Sequence, residues 1–250
     1  LFDRGIHFLV EGSHMMQKLV DLGCPPEKIT IHHLGVKVGD LPCQPRHRDN
    51  GDPLRILMAG RFTEKKGFPY AIDAFAEFLD NGSNGQLTLI GGSRSEQAEL
   101  SFRTALRDRA VEHGIEDSVH LRGFLPHADL IQAYLDHHVF LSPSVEAGNG
   151  DNEGGAPVTL IEASATGMPV ISTFHCDIPE VVINGKTGLL AEERDVSSLA
   201  AHLRTIERDP TRMRELGAAG RSRIEEEYNA EEQGRRLDDF YTSIRRNYDT

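Results

Sequence analysis

The chain has 250 residues, with 27 Lys and Arg against 39 Asp and Glu and a formal net charge of -12. It is long enough to bury a full core, and its acidic balance excludes a protein that coats nucleic acid, although a local basic pocket can sit inside an acidic shell. Three scattered cysteines, Cys24, Cys43 and Cys176, give no disulfide framework and favour reduced thiols in a cytoplasmic compartment.

No apolar run reaches the length of a membrane span and no secretory signal is visible. The opening Leu1-Phe2-Asp3 lacks an initiator methionine and reads as the start of a fragment. A short apolar run over residues 7–10 precedes a helix-like stretch over 13–22 that ends at Gly23, then an alternating strand over 28–33. This unit is too small to be a domain. Residues 39–53, GDLPCQPRHRDNGDP, combine prolines, glycines and charges and read as a linker.

From residue 54 the rhythm becomes regular. Strands are predicted at 54–59, 86–90, 119–122, 139–142, 170–173 and, more weakly, 188–191, with helices near 68–79, 95–113, 126–136 and 158–166 between them. The last sixty residues read as helix, with Leu199, Leu203, Ile206, Met213, Leu216, Ile224, Leu237, Phe240 and Ile244 in phase. Strands separated by helices predict an α/β fold: a Rossmann-like, doubly wound, parallel six-stranded sheet with a helical carboxyl-terminal tail. Such a sheet reverses direction between its first and fourth strands, and ligands bind outside the carboxyl ends there. Two loops flank that point, Gly60 to Gly67 after the first strand and Pro143 to Gly155 after the fourth.

The second loop leads into the most informative stretch, NGDNEGGAPVTLIEASATGMPVIST over 149–173. Pro157 suits the first turn of a helix and Gly167-Met168-Pro169 its end. Every residue of that helix is apolar, small or weakly polar except Glu162, and a carboxylate on a helix buried all round needs hydrogen-bond donors. Gly154 and Gly155 let a ligand approach the backbone closely, and the amides of Val158 and Thr159, at the positive end of the helix dipole, suit a phosphate. Across the crevice, GRFTEKKG places Arg61 just past a strand end and Lys66 at a helix start, two cations suited to a diphosphate. The plain alternative is a solvated basic turn neutralised by Glu64.

Glu153 and Glu162 invite a hydrolase reading, but Glu162 belongs beside the phosphate site, and a carboxylate is the usual clamp for ribose hydroxyls. Glu162 is therefore assigned to ribose, against the alternative of a structural acid satisfied by its own protein. His32-His33, His137-His138 and His175 near Cys176 and Asp177 lack the spacing of a zinc site, so no metal site is expected. No Gly-x-Gly-x-x-Gly follows the first strand, which argues against a nicotinamide enzyme.

Taken together, GRFTEKKG, HLRGFLPHADL, the loop and helix over 141–173, and DIPEVVINGKTGLL resemble the carboxyl-terminal half of retaining glycosyltransferases of family four, with the GT-B fold. The branch is that of bacterial exopolysaccharide and lipopolysaccharide assembly, of the colanic-acid type. HHLGV over 32–36 is similar to that family's crossing between domains. The resemblance implies residues 1–35 as the tail of an acceptor-side amino-terminal domain, 36–53 as linker, 54–227 as the donor-binding domain and 228–250 as a helix crossing back. It further implies that Arg61 and Lys66 bind the donor diphosphate, Glu162 the ribose and Glu153 the donor sugar near its reacting carbon. The backbone around Gly92 and Gly123-Phe124-Leu125 would line the base, with Gly60 at the loop's start and the amides after Gly154 steadying the leaving phosphate.

The implied enzyme is a hexosyltransferase that uses a nucleotide-diphosphate sugar, needs no metal or other cofactor, and delivers to a saccharide or lipid-linked acceptor held by the missing domain. It works in the cytoplasm, with a peripheral contact of the full-length parent at the inner membrane face left open. The fragment alone is expected to be inactive in transfer. Its rivals are a non-catalytic nucleotide-sugar binding module and an epimerase or phosphorylase relative. One departure stands out: eight residues lie between Glu153 and Glu162, one more than the family's usual spacing. A bulge at the two glycines keeps Glu153 in its role; otherwise Gly154 takes that position.

Overall fold

The computed structural model describes residue 2 and residues 7–49, 51–93 and 95–248, without the side chains of 246–248. The outermost parts of the expected amino-terminal tail and terminal helix, at 1, 3–6, 249 and 250, lie outside the described residues. The chain begins with β1 (Phe8–Val10), α1 (Ser13–Asp21) and β2 (Ile29–Ile31), whose strands pair in parallel as a separate two-stranded sheet. The main unit follows as β3 (Leu54–Ala59), α2 (Phe68–Asp80), β4 (Gly85–Ile90), α3 (Glu96–Glu112), β5 (Val119–Arg122), α4 (His127–Asp136), β6 (Val139–Ser142), α5 (Val158–Ala165), β7 (Val170–Thr173), α6 (Ile178–Val181) and β8 (Gly188–Ala191). Three helices complete the described chain, α7 (Val196–Arg208), α8 (Pro210–Glu227) and α9 (Ala230–Tyr248).

The six strands of the main sheet run in the order β5-β4-β3-β6-β7-β8, every pair parallel. The sheet is therefore doubly wound, and its direction reverses between β3 and β6. The pleat of β3 explains the two cores. Leu54, Ile56 and Met58 point into one with Phe68, Ile72 and Phe75 of α2 and Leu199, Leu203 and Ile206 of α7. Leu57 and Ala59 point into the other with Leu160 and Ile161 of α5 and Ile224 of α8. Burial on both faces is what makes β3 read as a near-continuous apolar run, broken only by Arg55.

The loops after β3 and β6 are stitched to one another. Gly67 turns at φ +75, and a Cβ there would sit 1.8 Å from the Pro143 carbonyl oxygen, so only glycine allows this approach. The Val145 amide donates to the Lys65 carbonyl at 2.9 Å and the Gly148 amide to Glu64 Oε1 at 2.9 Å. Lys65 Nζ holds Asp151 Oδ1 at 2.9 Å and the Asn152 carbonyl at 2.6 Å.

The stretch read as a linker is anchored at a few points. Val36, Val38 and Leu41 are buried in the second core, and Val36 exchanges backbone hydrogen bonds with Tyr228 and Ala230. Arg46 is buried too, with Nη2 donating to the Tyr134 carbonyl at 2.9 Å and to Thr166 Oγ1 at 2.8 Å. Its charge meets the carboxyl ends of α4 and α5, where the helix dipoles are negative, and burial pushes its pKa down to about 10. Most of its other described residues between 39 and 53 are exposed, as prolines and charges suggest, while Leu41 and Arg46 pin the stretch to the domain.

The first unit docks by the amino end of α1. The Ser13 amide donates to Glu180 Oε1 at 2.6 Å and the His14 amide to Asp177 Oδ1 at 2.7 Å, satisfying donors that a helix leaves open. On the other side, the His7 and Phe240 rings meet edge to face with centroids 5.0 Å apart, bringing α9 onto β1.

Candidate functional site

At the carboxyl ends of β3 and β4 lies a cavity of about 390 Å³, lined among others by Gly60, Arg61, Gly92, Phe124, Leu125 and Thr159. Six residues singled out from the sequence are thus brought together from four separate stretches. The lining is largely apolar and includes Ile90 and Leu130, and Phe124 is 81% exposed, presenting a free ring face. Hollows of about 530 and 840 Å³ flank the edge strand β5 instead and do not collect the cations and helix amides of the reversal point.

Helix α5 brings its amino end to the cavity. Pro157 fixes φ at its N-cap, the Leu160 and Ile161 amides turn back to the Pro157 carbonyl at 3.0 and 3.3 Å, and Thr159 lines the cavity. The first-turn amides of Val158 and Thr159 have no acceptor within the helix. The Gly154 amide is already engaged, donating to Asn152 Oδ1 at 3.0 Å. Gly155 faces the Glu11 carboxylate from the amino-terminal unit, close enough that a Cβ would lie 2.2 Å from Oε2.

Lys66 and Glu153 lie beside each other rather than on opposite walls. Lys66 Nζ is 2.8 Å from Glu153 Oε2, with the two side chains only 13% and 6% exposed. Ser144 donates its hydroxyl to Glu153 Oε1 at 2.8 Å, so both carboxylate oxygens are occupied within the protein. The Glu153 amide donates to His175 Nε2 at 3.2 Å, which assigns the His175 proton to Nδ1, 2.6 Å from Glu193 Oε1. Burial works to raise the Glu193 carboxyl, but the Glu146 amide, His175 and Arg194 outweigh it and hold it below the ordinary range. A chain of contacts therefore links the ends of β6, β7 and β8 and fixes the backbone at Glu153, after which Gly154 turns at φ +75.

Glu162 sits one turn beyond Thr159 with its side chain 12% exposed. Its hydrogen-bond donors come from α4. Tyr134 donates its hydroxyl to Oε2 at 3.1 Å, and His127 Nε2 lies 2.8 Å from Oε1. Burial, and then the neighbouring Glu162 carboxylate, raise the Tyr134 pKa well above the ordinary range, which keeps the phenol a donor. Tyr134 and His127 are two helical turns apart and so share a face of α4, a pairing for which spacing was the available signal. Ser144 and Glu193 were missed for want of any local pattern, and His175 was weighed only as a metal ligand. Gly123 adjoins the cavity through Phe124, with Arg103 Nη1 3.8 Å from where its Cβ would be. Among the described residues, no three His, Cys, Asp or Glu side chains gather in a geometry that could hold a metal ion.

Comparison with known proteins accords with this arrangement. The family profile described as glycosyl transferases group 1 matches residues 44–223. The amylovoran biosynthesis glycosyltransferase AmsK of Erwinia amylovora is 38% identical over 213 residues, which are 85% of this chain and 50% of that protein. WcaL of Salmonella typhimurium, named for colanic acid biosynthesis, is 33% identical over 248 residues, 98% of this chain and 58% of the other. The chain thus spans little more than half the length of these relatives. Among solved structures, HepE of Anabaena in complex with UDP and glucose superposes with a TM-score of 0.81 at 16% identity, over 95% of this chain and 63% of that one. The carboxyl-terminal domain of the group 1 glycosyl transferase LpcC of Francisella tularensis gives 0.66 at 19% identity, over 78% of this chain and 100% of that one. With a matching profile over most of its length and the doubly wound sheet of a GT-B glycosyltransferase, the chain belongs to the glycosyl transferases group 1 family.

Proposed function

We propose that the chain is the donor-binding half of a retaining glycosyltransferase of family four, which transfers a hexose from a nucleoside-diphosphate sugar to a saccharide or lipid-linked acceptor of a surface polysaccharide. The observation that carries this reading is the convergence of Arg61, the amino end of α5 and the exposed Phe124 ring on one cavity at the sheet's reversal point. The names of AmsK and WcaL, tied to amylovoran and colanic acid, support the polysaccharide, and the UDP and glucose bound to HepE support the donor class.

On this reading the base stacks near Phe124 between Gly92 and Leu125, and the ribose hydroxyls reach Glu162. The diphosphate lies between Arg61 and the first-turn amides of α5, with Lys66 turning toward it. Two cations and a helix dipole offset the diphosphate charge, so no metal ion or other cofactor is required. When Lys66 turns, Glu153 Oε2 loses its partner and becomes free to accept from a hydroxyl of the sugar. Retention follows from attack on the face the nucleotide leaves, the departing phosphate taking the acceptor's proton. The acceptor is held by an amino-terminal domain of which residues 1–35 are the tail, joined by 36–53 to the donor domain at 54–227 and re-engaged by the helix at 228–250. The enzyme acts in the cytoplasm; among the described residues no helix is long and apolar enough to cross a membrane.

The first test is thermal unfolding of the chain with UDP-glucose, UDP-galactose, GDP-mannose and their free nucleotides. A ligand that binds only the folded state raises the midpoint. Failure of every nucleotide at millimolar concentration refutes the donor site. The full-length parent given the stabilising donor and an acceptor should form a product with the donor's anomeric configuration, read by proton NMR; the opposite configuration refutes retention.

A further inference from the structure

We propose that His127 is a displaceable cap on the Glu162 carboxylate, which a ligand's hydroxyls must push aside, so that this histidine sets the affinity of the site. The inference rests on the assignment of Glu162 to the ribose of a nucleotide sugar. The two oxygens of Glu162 have unlike partners. Oε2 is held by Tyr134, whose ring is fully buried and packs edge to face on Phe140 with centroids 5.9 Å apart. That donor cannot leave without opening the second core.

Oε1 is held by His127, whose side chain is 62% exposed. His127 is the first residue of α4, and Leu130, one turn further along the same face, lines the cavity, as Thr159 does one turn before Glu162 on α5. The His127–Glu162 contact therefore closes the gap between the two helices at the cavity's rim. A vicinal diol that donates to Glu162 must approach Oε1 from this side, where the imidazole already sits. Turning His127 into water exchanges one hydrogen bond for two.

A purely structural purpose for His127 is poorly served by its position. At the amino end of α4 a histidine gains nothing from the helix dipole, which favours acids there and disfavours an imidazolium. Tyr134 alone already gives the buried acid its donor. Exposed polar contacts of this kind contribute little, so removing the cap returns roughly two- to fivefold in ligand affinity.

The test is calorimetric titration of UDP and of GDP into the chain and its variants. His127→Ala should tighten whichever diphosphate binds by that factor, and His127→Gln, which keeps a donor on a different side chain, should fall between. In a Glu162→Gln background, the same His127→Ala change should have no effect. Weaker binding by His127→Ala shows the imidazole working for the ligand and overturns the cap, as do unchanged affinity and a tightening that persists without Glu162. Binding that ignores His127 removes the cap alone; absence of binding by wild type to either diphosphate removes the nucleotide site with it.

Discussion

Replacing Lys66 by methionine tests the most deeply buried charge pair of the site. In the native chain the Glu153 carboxylate is 6% exposed and held by Lys66 and Ser144 at 2.8 Å each. Methionine keeps most of the side-chain volume but leaves the carboxylate with a single neutral donor in a place water hardly reaches. Breaking a buried pair by removing one member costs about 3 to 5 kcal/mol, and the remaining Ser144 bond reduces this to about 2 to 3 kcal/mol. For a chain of this length that lowers the melting midpoint by roughly 4 to 12 °C. Adding Glu153→Gln to the same molecule removes the stranded charge while keeping the Ser144 contact, and should recover most of the loss. Urea titration of wild type, both single variants and the double variant, analysed as a cycle, gives the answer. A double variant no more stable than Lys66→Met, or a Lys66→Met variant indistinguishable from wild type, refutes the view that these two residues hold one another.

Arg61→Ala should weaken UDP or GDP much more than the bare nucleoside, and Glu162→Ala should cost about 1.5 to 3 kcal/mol on both, measured by calorimetry; equal losses for Arg61→Ala on nucleoside and diphosphate would count against a phosphate contact. Gly67→Ala forces a side chain into the space of the Pro143 carbonyl at φ +75 and should cost about 2 kcal/mol or more while loosening nucleotide binding, because it parts the two loops of the reversal point; wild-type melting would refute the close approach. His138 is buried, and its pKa is lowered from 6.5 to about 4, first by burial and then by Arg55 and Arg48. The unfolded chain takes up this proton more readily, so the stability contributed by neutral His138 is complete above pH 6.5 and is lost as the pH falls through 6.5 toward 4, at up to about 1.4 kcal/mol per pH unit. His138→Gln should flatten stability over that window, and an equal slope in variant and wild type would show that the acid sensitivity lies elsewhere.

The sheet was legible because burial on both faces writes itself into single strands. Leu54 to Ala59 and Val139 to Ser142 are apolar runs of strand length, and helical phasing such as Phe68, Ile72 and Phe75 separates them. Strand order was assumed, and the observed reversal between β3 and β6 agrees with that assumption. The packing of residues 36–53 was not legible, because Arg46 finds its acceptors 88 and 120 residues away and no local pattern announces a charge that caps two distant helices. The same limit applies at the site. Residue types could place cations and acids at one end of the sheet, but Lys66 and Glu153 are 87 residues apart and His127 and Glu162 are 35 apart.

What residue types cannot tell is whether a polar group faces a ligand or another side chain, since both environments demand the same chemistry. Two of the groups that the nucleotide-sugar reading gives to the donor, Lys66 and Glu162, already have partners within the protein. Lys66 has a carboxylate where a phosphate would be, and Glu162 has an imidazole where a sugar hydroxyl would be. A buried charge without a partner costs several kcal/mol, so a site built for a charged ligand either floods with water or pairs its groups internally. This one pairs them, at a helix end and a strand end that the fold already holds together. Binding by such a site is an exchange of partners, each of like kind, and its net free energy is smaller than the new contacts alone would suggest. Removing His127 while leaving Glu162 in place should then tighten binding, whereas variants of Arg61, Lys66, Glu153 or Glu162 should bind more weakly. That opposite sign separates the two classes of residue within one cavity.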